Sequence, residues 1–333
     1  MRSIFPRSMQ NDRSPASSAT RALLTEIIDY AGMFPPASLS LEEALANYDS
    51  YRMTAEAWLL ARFVCPVVRL DDLVRTRSAA GQSAPLRVAA VLTATNTPAE
   101  FDRVLHDGLE AIDRIGISAD VVVQSLELRL PSSLARSRSE EMSEFVNKYV
   151  PAVGVSRLIR ELYLETPTAA PMDEAVPALV AGLTSTPTDA AGTRSGLKFR
   201  CGGPSPEDVP SVRSLAAALH ATIRGGIPFK ATAGLHHPLR NYDHATQAWM
   251  HGFINLFVGA VLVADQNLRR SDLEAILSST EPAEFSFGER TVGWRRLCIE
   301  NASVVRARAD RATTFGSCSF TEPRDDLRNM GLI

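Results

Sequence analysis

Two short segments of this chain put lysine where carbonyl chemistry needs it: Gly196–Gly203 (GLKFRCGG) and Pro228–Pro238 (PFKATAGLHHP). A neutral lysine amine is a nucleophile toward a carbonyl carbon. In both segments the neighbours alternate as strand residues do. Leu197, Phe199 and Cys201 fall on one face and Lys198 and Arg200 on the other, while Phe229, Ala231 and Ala233 oppose Lys230, Thr232 and Gly234. The same phase recurs upstream, where Leu162 and Leu164 oppose Glu161, Tyr163 and Glu165, and Leu126 and Leu128 oppose Ser125, Glu127 and Arg129. On one strand, structural ion pairing explains such charges as well as function does. Across four consecutive strands the phase points to a functional cluster, because buried charge is costly to keep without use.

On adjacent strands, about 4.8 Å apart, Lys198 and Lys230 bring their amines within roughly 6 Å. Two like charges at that separation repel by about 3 kcal/mol at an effective dielectric near 20, which favours one neutral amine. Direct pairing with Glu127, Glu161 or Glu165 opposes this and holds both amines charged. The catalytic candidates are therefore Lys230, Lys198, Glu165 and Glu127, with Arg200 available to absorb a carboxylate. His236 and His237 join them as general acid or base candidates, since Pro238 keeps His237 out of helix and leaves both in an extended loop after the strand.

Arg200, Thr232, Gly202, Gly203, Ser317 and Ser319 are candidate substrate-binding residues; the last two lie in Phe315–Pro323 (FGSCSFTEP), a small-residue strand end suited to an anion. A divalent metal on His236 or His237 with Glu127 and Glu165 is the alternative chemistry, but no HxH, HExxH or clustered Asp supports it, so no metal and no cofactor are expected. There is no P-loop and no complete GxGxxG after a strand. Cys201 and Cys318 have no base near them in sequence and read as buried thiols.

Lys230-Ala231-Thr232-Ala233-Gly234 resembles the K-x-[ST]-x-G strand end of class I aldolases of the deoxyribose-phosphate aldolase type, over about a dozen residues. The resemblance implies a Schiff base on Lys230, with Lys198 as the second lysine that tunes it. In that family the second lysine's strand follows the Schiff-base strand, whereas Lys198 precedes Lys230.

The elements that position these groups are read from periodicity. A helical region at Arg21–Tyr30, a loop at Ala31–Ser38 and a helix near Ser40–Arg62 come first; Ser40 with Glu43 has the form of a capping box. Eight strands are then expected at Phe63–Arg69, Leu86–Thr93, Asp120–Leu128, Leu158–Glu165, Gly196–Cys201, Pro228–Ala233, Ala283–Phe287 and Thr313–Phe320. Helices are expected between them, among others at Ala99–Ile115, Ser137–Val150, Glu207–Arg224, His244–Ala264, Ser271–Leu277 and Thr291–Arg308. The alternation predicts an α/β fold, a single (β/α)8 TIM-type barrel spanning 22–333 with an N-terminal helical extension; a doubly wound open parallel sheet is the alternative. Residues 1–21, rich in Ser and Arg, read as a disordered arm.

The 333 residues carry a net charge of -3, which argues against nucleic acid and anionic membranes as partners. Gly252–Ala264 is too short to span a bilayer and reads as a buried helix. Four cysteines without a CxxC pair suit a reducing, cytoplasmic setting. These readings converge on a lyase or isomerase for a small carbonyl compound, anionic or phosphorylated, and are compatible with a homo-oligomer. Metal-assisted enolisation or hydrolysis and a non-catalytic anion-binding barrel are the alternatives.

Overall fold

In the computed structural model, residues 16–79, 85–116, 120–154, 156, 158–167, 170–186 and 192–333 are described. The chain opens with α1 (Ser18–Leu24), capped by Ser17, whose hydroxyl accepts from the Thr20 N–H. The arm expected to reach residue 21 is thus helical from Ser18, and residues 1–15 lie outside the described residues. A left-handed residue, Glu26 at φ 49°, ends this helical region and turns the chain into β1 (Ile28–Tyr30). A strand was not expected here. The spacing of Leu23, Leu24, Ile27 and Ile28 has helical period, and three strand residues are too few to show alternation.

After β1 come α2 (Leu41–Arg52), β2 (Leu60–Pro66), α3 (Leu70–Ala79), β3 (Leu86–Val91), α4 (Pro98–Ile115), β4 (Val121–Arg129), α5 (Ser139–Gly154) and β5 (Glu161–Glu165). Next are α6 (Met172–Ser185), β6 (Arg194–Arg200), α7 (Val212–Arg224) and β7 (Phe229–Thr232). The Ser40–Glu43 capping box is present at the start of α2, and Thr97 caps α4. The chain then forms a hairpin, β8 (Asn241–Asp243) and β9 (Ala248–Met250), two helices, α8 (Phe253–Gln266) and α9 (Arg270–Ser278), and three short strands, β10 (Phe285–Phe287), β11 (Thr291–Trp294) and β12 (Leu297–Glu300). It ends with α10 (Asn301–Asp310), β13 (Ala312–Ser317) and α11 (Thr321–Asn329).

Eight parallel strands close a barrel in the order β1-β13-β7-β6-β5-β4-β3-β2. The fold is a (β/α)8 TIM-type barrel, and the open-sheet alternative is excluded by the pairing of β1 with both β13 and β2.

The strand expected at 283–287 is real at Phe285–Phe287 but does not belong to the barrel. It pairs antiparallel with β11, which pairs with β12, so the helix expected over Thr291–Arg308 is two strands followed by α10. This sheet packs on the outside of α8. Every residue from Phe253 to Val263 is buried in consequence, which accounts for the continuous apolar run. The helix expected from His244 begins only at Phe253, since 241–250 forms the hairpin. The helix expected to reach Arg62 stops at Arg52, and β2 starts at Leu60 rather than at Phe63. Among the described residues no helix is long and apolar enough to cross a membrane.

Candidate active site

The barrel interior is filled with charge because inward positions on β1, β2, β4, β5, β6 and β7 are ionisable. One register row runs Lys230, Lys198, Glu165, Arg129 across β7, β6, β5 and β4, each the Cα partner of the next. Strand tilt in a barrel staggers the rows, so side chains also meet partners from the rows beside them. Glu127 of β4 lies between the two lysines: one oxygen takes the Lys198 amine at 2.7 Å and the other a close contact from Lys230.

Lys230 is sealed, 1% exposed, and its second partner is Asp29 Oδ2 at 2.7 Å. Asp29 stands on β1, the strand that periodicity read as helix, and is the principal site residue that the sequence reading missed. Its other contacts fix it fully: Oδ1 accepts the Arg62 N–H at 3.0 Å, and Oδ2 also accepts the Thr314 hydroxyl at 2.7 Å. The available signal was an acid between Ile28 and Tyr30, directly before Ala31-Gly32, as at a strand end. Lys230 also lies over the Tyr163 ring, 5.7 Å from its centroid.

Lys198 is nearer the solvent, 8% exposed, and its amine also meets Glu165 Oε2 at 3.1 Å. The other oxygen of Glu165 accepts Arg129 Nη2 at 2.6 Å and Arg200 Nε at 3.1 Å. Arg200 thus absorbs a carboxylate as expected, and Arg129 does so with it. Glu161 does not serve the lysines: Arg62 and Arg194 hold it at 2.6 and 2.5 Å, toward the N-terminal end of the strands.

Direct pairing decides the electrostatics. Burial raises the Glu127 and Glu165 carboxyls, but Lys198 with Lys230 in the first case, and Lys198 with Arg129 and Arg200 in the second, outweigh it and pull each down to about 2. Burial lowers Lys230, yet Asp29 and Glu127 outweigh that as well and raise it above the ordinary lysine value. Repulsion between the lysines, which favours a neutral amine, is overridden at Lys230 by carboxylates in contact with it. Burial also pushes the Cys201 thiol up to about 12, so it is inert as a nucleophile.

The histidines are elsewhere. His236 Nδ1 pairs with Glu322 Oε2 at 3.0 Å and His237 Nδ1 with Asp326 Oδ2 at 2.6 Å, both on α11. Neither pairs with the lysine cluster, and His237 lines an open groove with Arg240, Thr280 and Asn329. The metal set of histidine, Glu127 and Glu165 is not assembled, because lysines and arginines occupy both carboxylates. Among the described residues no group of three His, Cys, Asp or Glu is placed to hold a metal.

The small residues at the strand ends are explained by close approach. Gly202 and Gly234, the latter at φ 70°, bring the ends of β6 and β7 together; a Cβ on either would lie 2.9 Å from the other's Cα. A Cβ on Gly203 would strike the Asp208 side chain. Thr232 is half-buried beside Gly316, its register partner. Ser317 donates to the Ser319 carbonyl at 2.6 Å, and the Ser319 hydroxyl accepts the Glu322 N–H at 3.2 Å, closing the turn into α11.

No protein-family model matches the chain, and no curated protein does. Two solved structures, each described as a "putative deoxyribose-phosphate aldolase" from Toxoplasma gondii ME49, are similar at 11% sequence identity. One has a TM-score of 0.37 over 94% of this chain and 96% of its own. The other has a TM-score of 0.35 over 94% and 92%.

Proposed function

We propose that the barrel is a lyase or isomerase that forms a Schiff base between a small carbonyl compound and Lys198, with Lys230 as its permanently charged partner. The observation that carries this reading is the asymmetry of the lysine pair. The two are register partners sharing Glu127, yet Lys230 is sealed between Asp29 and Glu127 while Lys198 sits on the solvent side with the arginines. The outer amine is the one nearer to solvent, and so the one nearer to an incoming substrate. This assignment exchanges the roles implied by the short resemblance at Lys230, and it restores that family's order, in which the second lysine's strand follows the Schiff-base strand.

The ion pairing around Lys198 is compatible with the chemistry. Lys198 must release a proton to attack, and Glu127, 2.7 Å away, is the nearest acceptor. With its own proton affinity held down by both lysines, Glu127 passes that proton on to the carbonyl oxygen as the C–N bond forms. The carbinolamine then loses water and becomes a protonated imine. Two ammonium protons leave with the carbonyl oxygen as water, and the imine keeps the positive charge that the ammonium had. The cluster's charge is therefore unchanged across the step, so Glu127 and Glu165 stabilise the imine as they stabilised the ammonium. The imine draws electrons from a neighbouring C–C or C–H bond, which is the lyase or the isomerase outcome.

Borohydride reduction in the presence of a panel of small aldehydes and ketones tests this. A stable adduct is expected on the peptide carrying Lys198, absent from Lys198→Met and present in wild-type protein. An adduct confined to Lys230, or none with any compound, overturns the assignment.

A further inference from the structure

Arg129 and Arg200 are only partly used by Glu165. Arg129 gives it Nε at 2.9 Å and Nη2 at 2.6 Å, and Arg200 gives it Nε alone at 3.1 Å. Among the described residues, Nη1 of Arg129 and both Nη of Arg200 make no hydrogen bond, and none of the three is a buried orphan, so they reach solvent. The two side chains are 27% and 32% exposed, whereas the carboxylate that they share is 5% exposed. Four cations, Lys198, Lys230, Arg129 and Arg200, face three carboxylates, Asp29, Glu127 and Glu165. The unmatched positive charge lies at the outer end, since Lys230 is enclosed by two of the three acids. One anionic group completes the site.

We infer that this group is a carboxylate bonded directly to the reacting carbonyl carbon, so that the enzyme's substrates are 2-oxo acids. The inference rests on Lys198 being the amine. Glu165 stands between them: one oxygen contacts Lys198 at 3.1 Å and the other contacts Nε of both arginines and Nη2 of Arg129, so the amine and the two guanidinium groups are neighbours around one carboxylate. A 2-oxo acid carries its carboxylate on the atom next to the carbonyl carbon, so with that carbon at Lys198 its oxygens are directed to the neighbouring guanidinium N–H groups that Glu165 leaves free. A phosphate ester puts at least an oxygen and a carbon between its anion and the carbonyl, and so suits cations farther from the amine. The planar guanidinium fork also matches the planar two-oxygen carboxylate. Held this way, the substrate charge neutralises the surplus at the mouth and orients the carbonyl toward the amine.

Two measurements on the intact protein test it: calorimetric binding of pyruvate without reductant, and borohydride trapping with pyruvate, acetaldehyde and glyceraldehyde 3-phosphate as probes. Saturable pyruvate binding is expected, and trapping of pyruvate at lower concentration than the other two. Arg129→Gln and Arg200→Gln are each expected to raise the pyruvate half-saturation by about tenfold or more, as loss of a charge-assisted hydrogen bond does. Arg200→Lys, which keeps the charge but loses the fork, should recover part of that loss. Melting curves confirm that each variant is folded. Tighter trapping of the phosphate ester, or pyruvate binding that is absent or indifferent to both arginines, overturns the inference while leaving Lys198 trapping of other carbonyls intact. Pyruvate binding that depends on the arginines without any trapping supports the 2-oxo acid site and sinks the Schiff-base reading instead.

Discussion

At the scale of single residues, the barrel interior is governed by contact distance rather than by charge count. Lys198 and Lys230 face one another in register, yet Glu127 touches both, and an opposite charge in contact outweighs a like charge further away. The pH dependence of stability follows. Glu127 and Glu165 are depressed from 4.5 to about 2, so their contribution is fully present above 4.5 and is lost as pH falls toward about 2. Lys230 is raised above its ordinary 10.5, so its contribution is fully present below 10.5 and is lost only as pH rises through the raised value. The cluster therefore contributes a plateau between these limits and a steep acid limb. Glu127→Gln is expected to lower stability by about 3–5 kcal/mol, because it leaves two buried ammonium groups under-compensated. Part of the acid limb should vanish with it. Urea unfolding at several pH values measures both effects, and an unchanged acid limb would show that Glu127 is not ionised in the folded protein.

At the scale of elements, the ends of β6 and β7 are set by two facing glycines with the β8–β9 hairpin folded over them. The Met250 methyl lies against both: a Cβ on Gly234 would come within 2.7 Å of it and within 3.1 Å of the Cys201 carbonyl oxygen, at a φ of 70° that disfavours a side chain. Gly234→Ala is expected to cost about 1–3 kcal/mol through this strain and crowding. The loosened hairpin should exchange its amide hydrogens faster over 241–250 than in the unaltered protein, with little change in β2 and β3. Gly202 and Gly203, expected to bind substrate, thus have a packing role that the structure shows directly. The hairpin and the β10–β12 sheet were the parts of the chain least legible in sequence. Tyr242 and Trp249, or Phe285 and Val292, alternate over only three or four residues, and helical spacing from neighbouring segments runs through them.

At the scale of the whole molecule, barrel closure depends on a seam between the first and last strands. Arg308 of α10 ties that seam: its guanidinium donates to the Ala312 carbonyl at 2.6 Å, the Thr313 carbonyl at 2.6 Å and the Leu23 carbonyl at the end of α1, and lies 5.4 Å from the Phe257 ring. Burial lowers this guanidinium to about 10, and the cost is offset by the carbonyls around it. Arg308→Met is expected to lower stability by roughly 3 kcal/mol or more, since several carbonyls lose a charge-assisted donor at once. Asp29, on the strand that the seam secures, also holds Lys230, so the same variant should weaken any Lys198 chemistry. A variant that melts like the original would remove Arg308 from the closure.

The sequence by itself pointed to the barrel class and put Lys198, Lys230, Glu127, Glu165 and Arg200 on one shared phase of β4 to β7, because strand alternation is a local property that survives in one dimension. It also marked the buried character of Phe253–Val263, although not the start of that helix. Only the tertiary structure decided which strands close the barrel: Ile28–Tyr30 is too short to signal itself, and it pairs with a strand almost three hundred residues away. That pairing brought Asp29 to Lys230. The structure also removed His236 and His237 from the lysines, since a loop's direction depends on what packs against it, and here α11 offers Glu322 and Asp326. Which lysine is sealed and which lies nearer the solvent is likewise a property of depth in the barrel. Depth is set by strand stagger and closure, and adjacent positions in the chain carry no record of it.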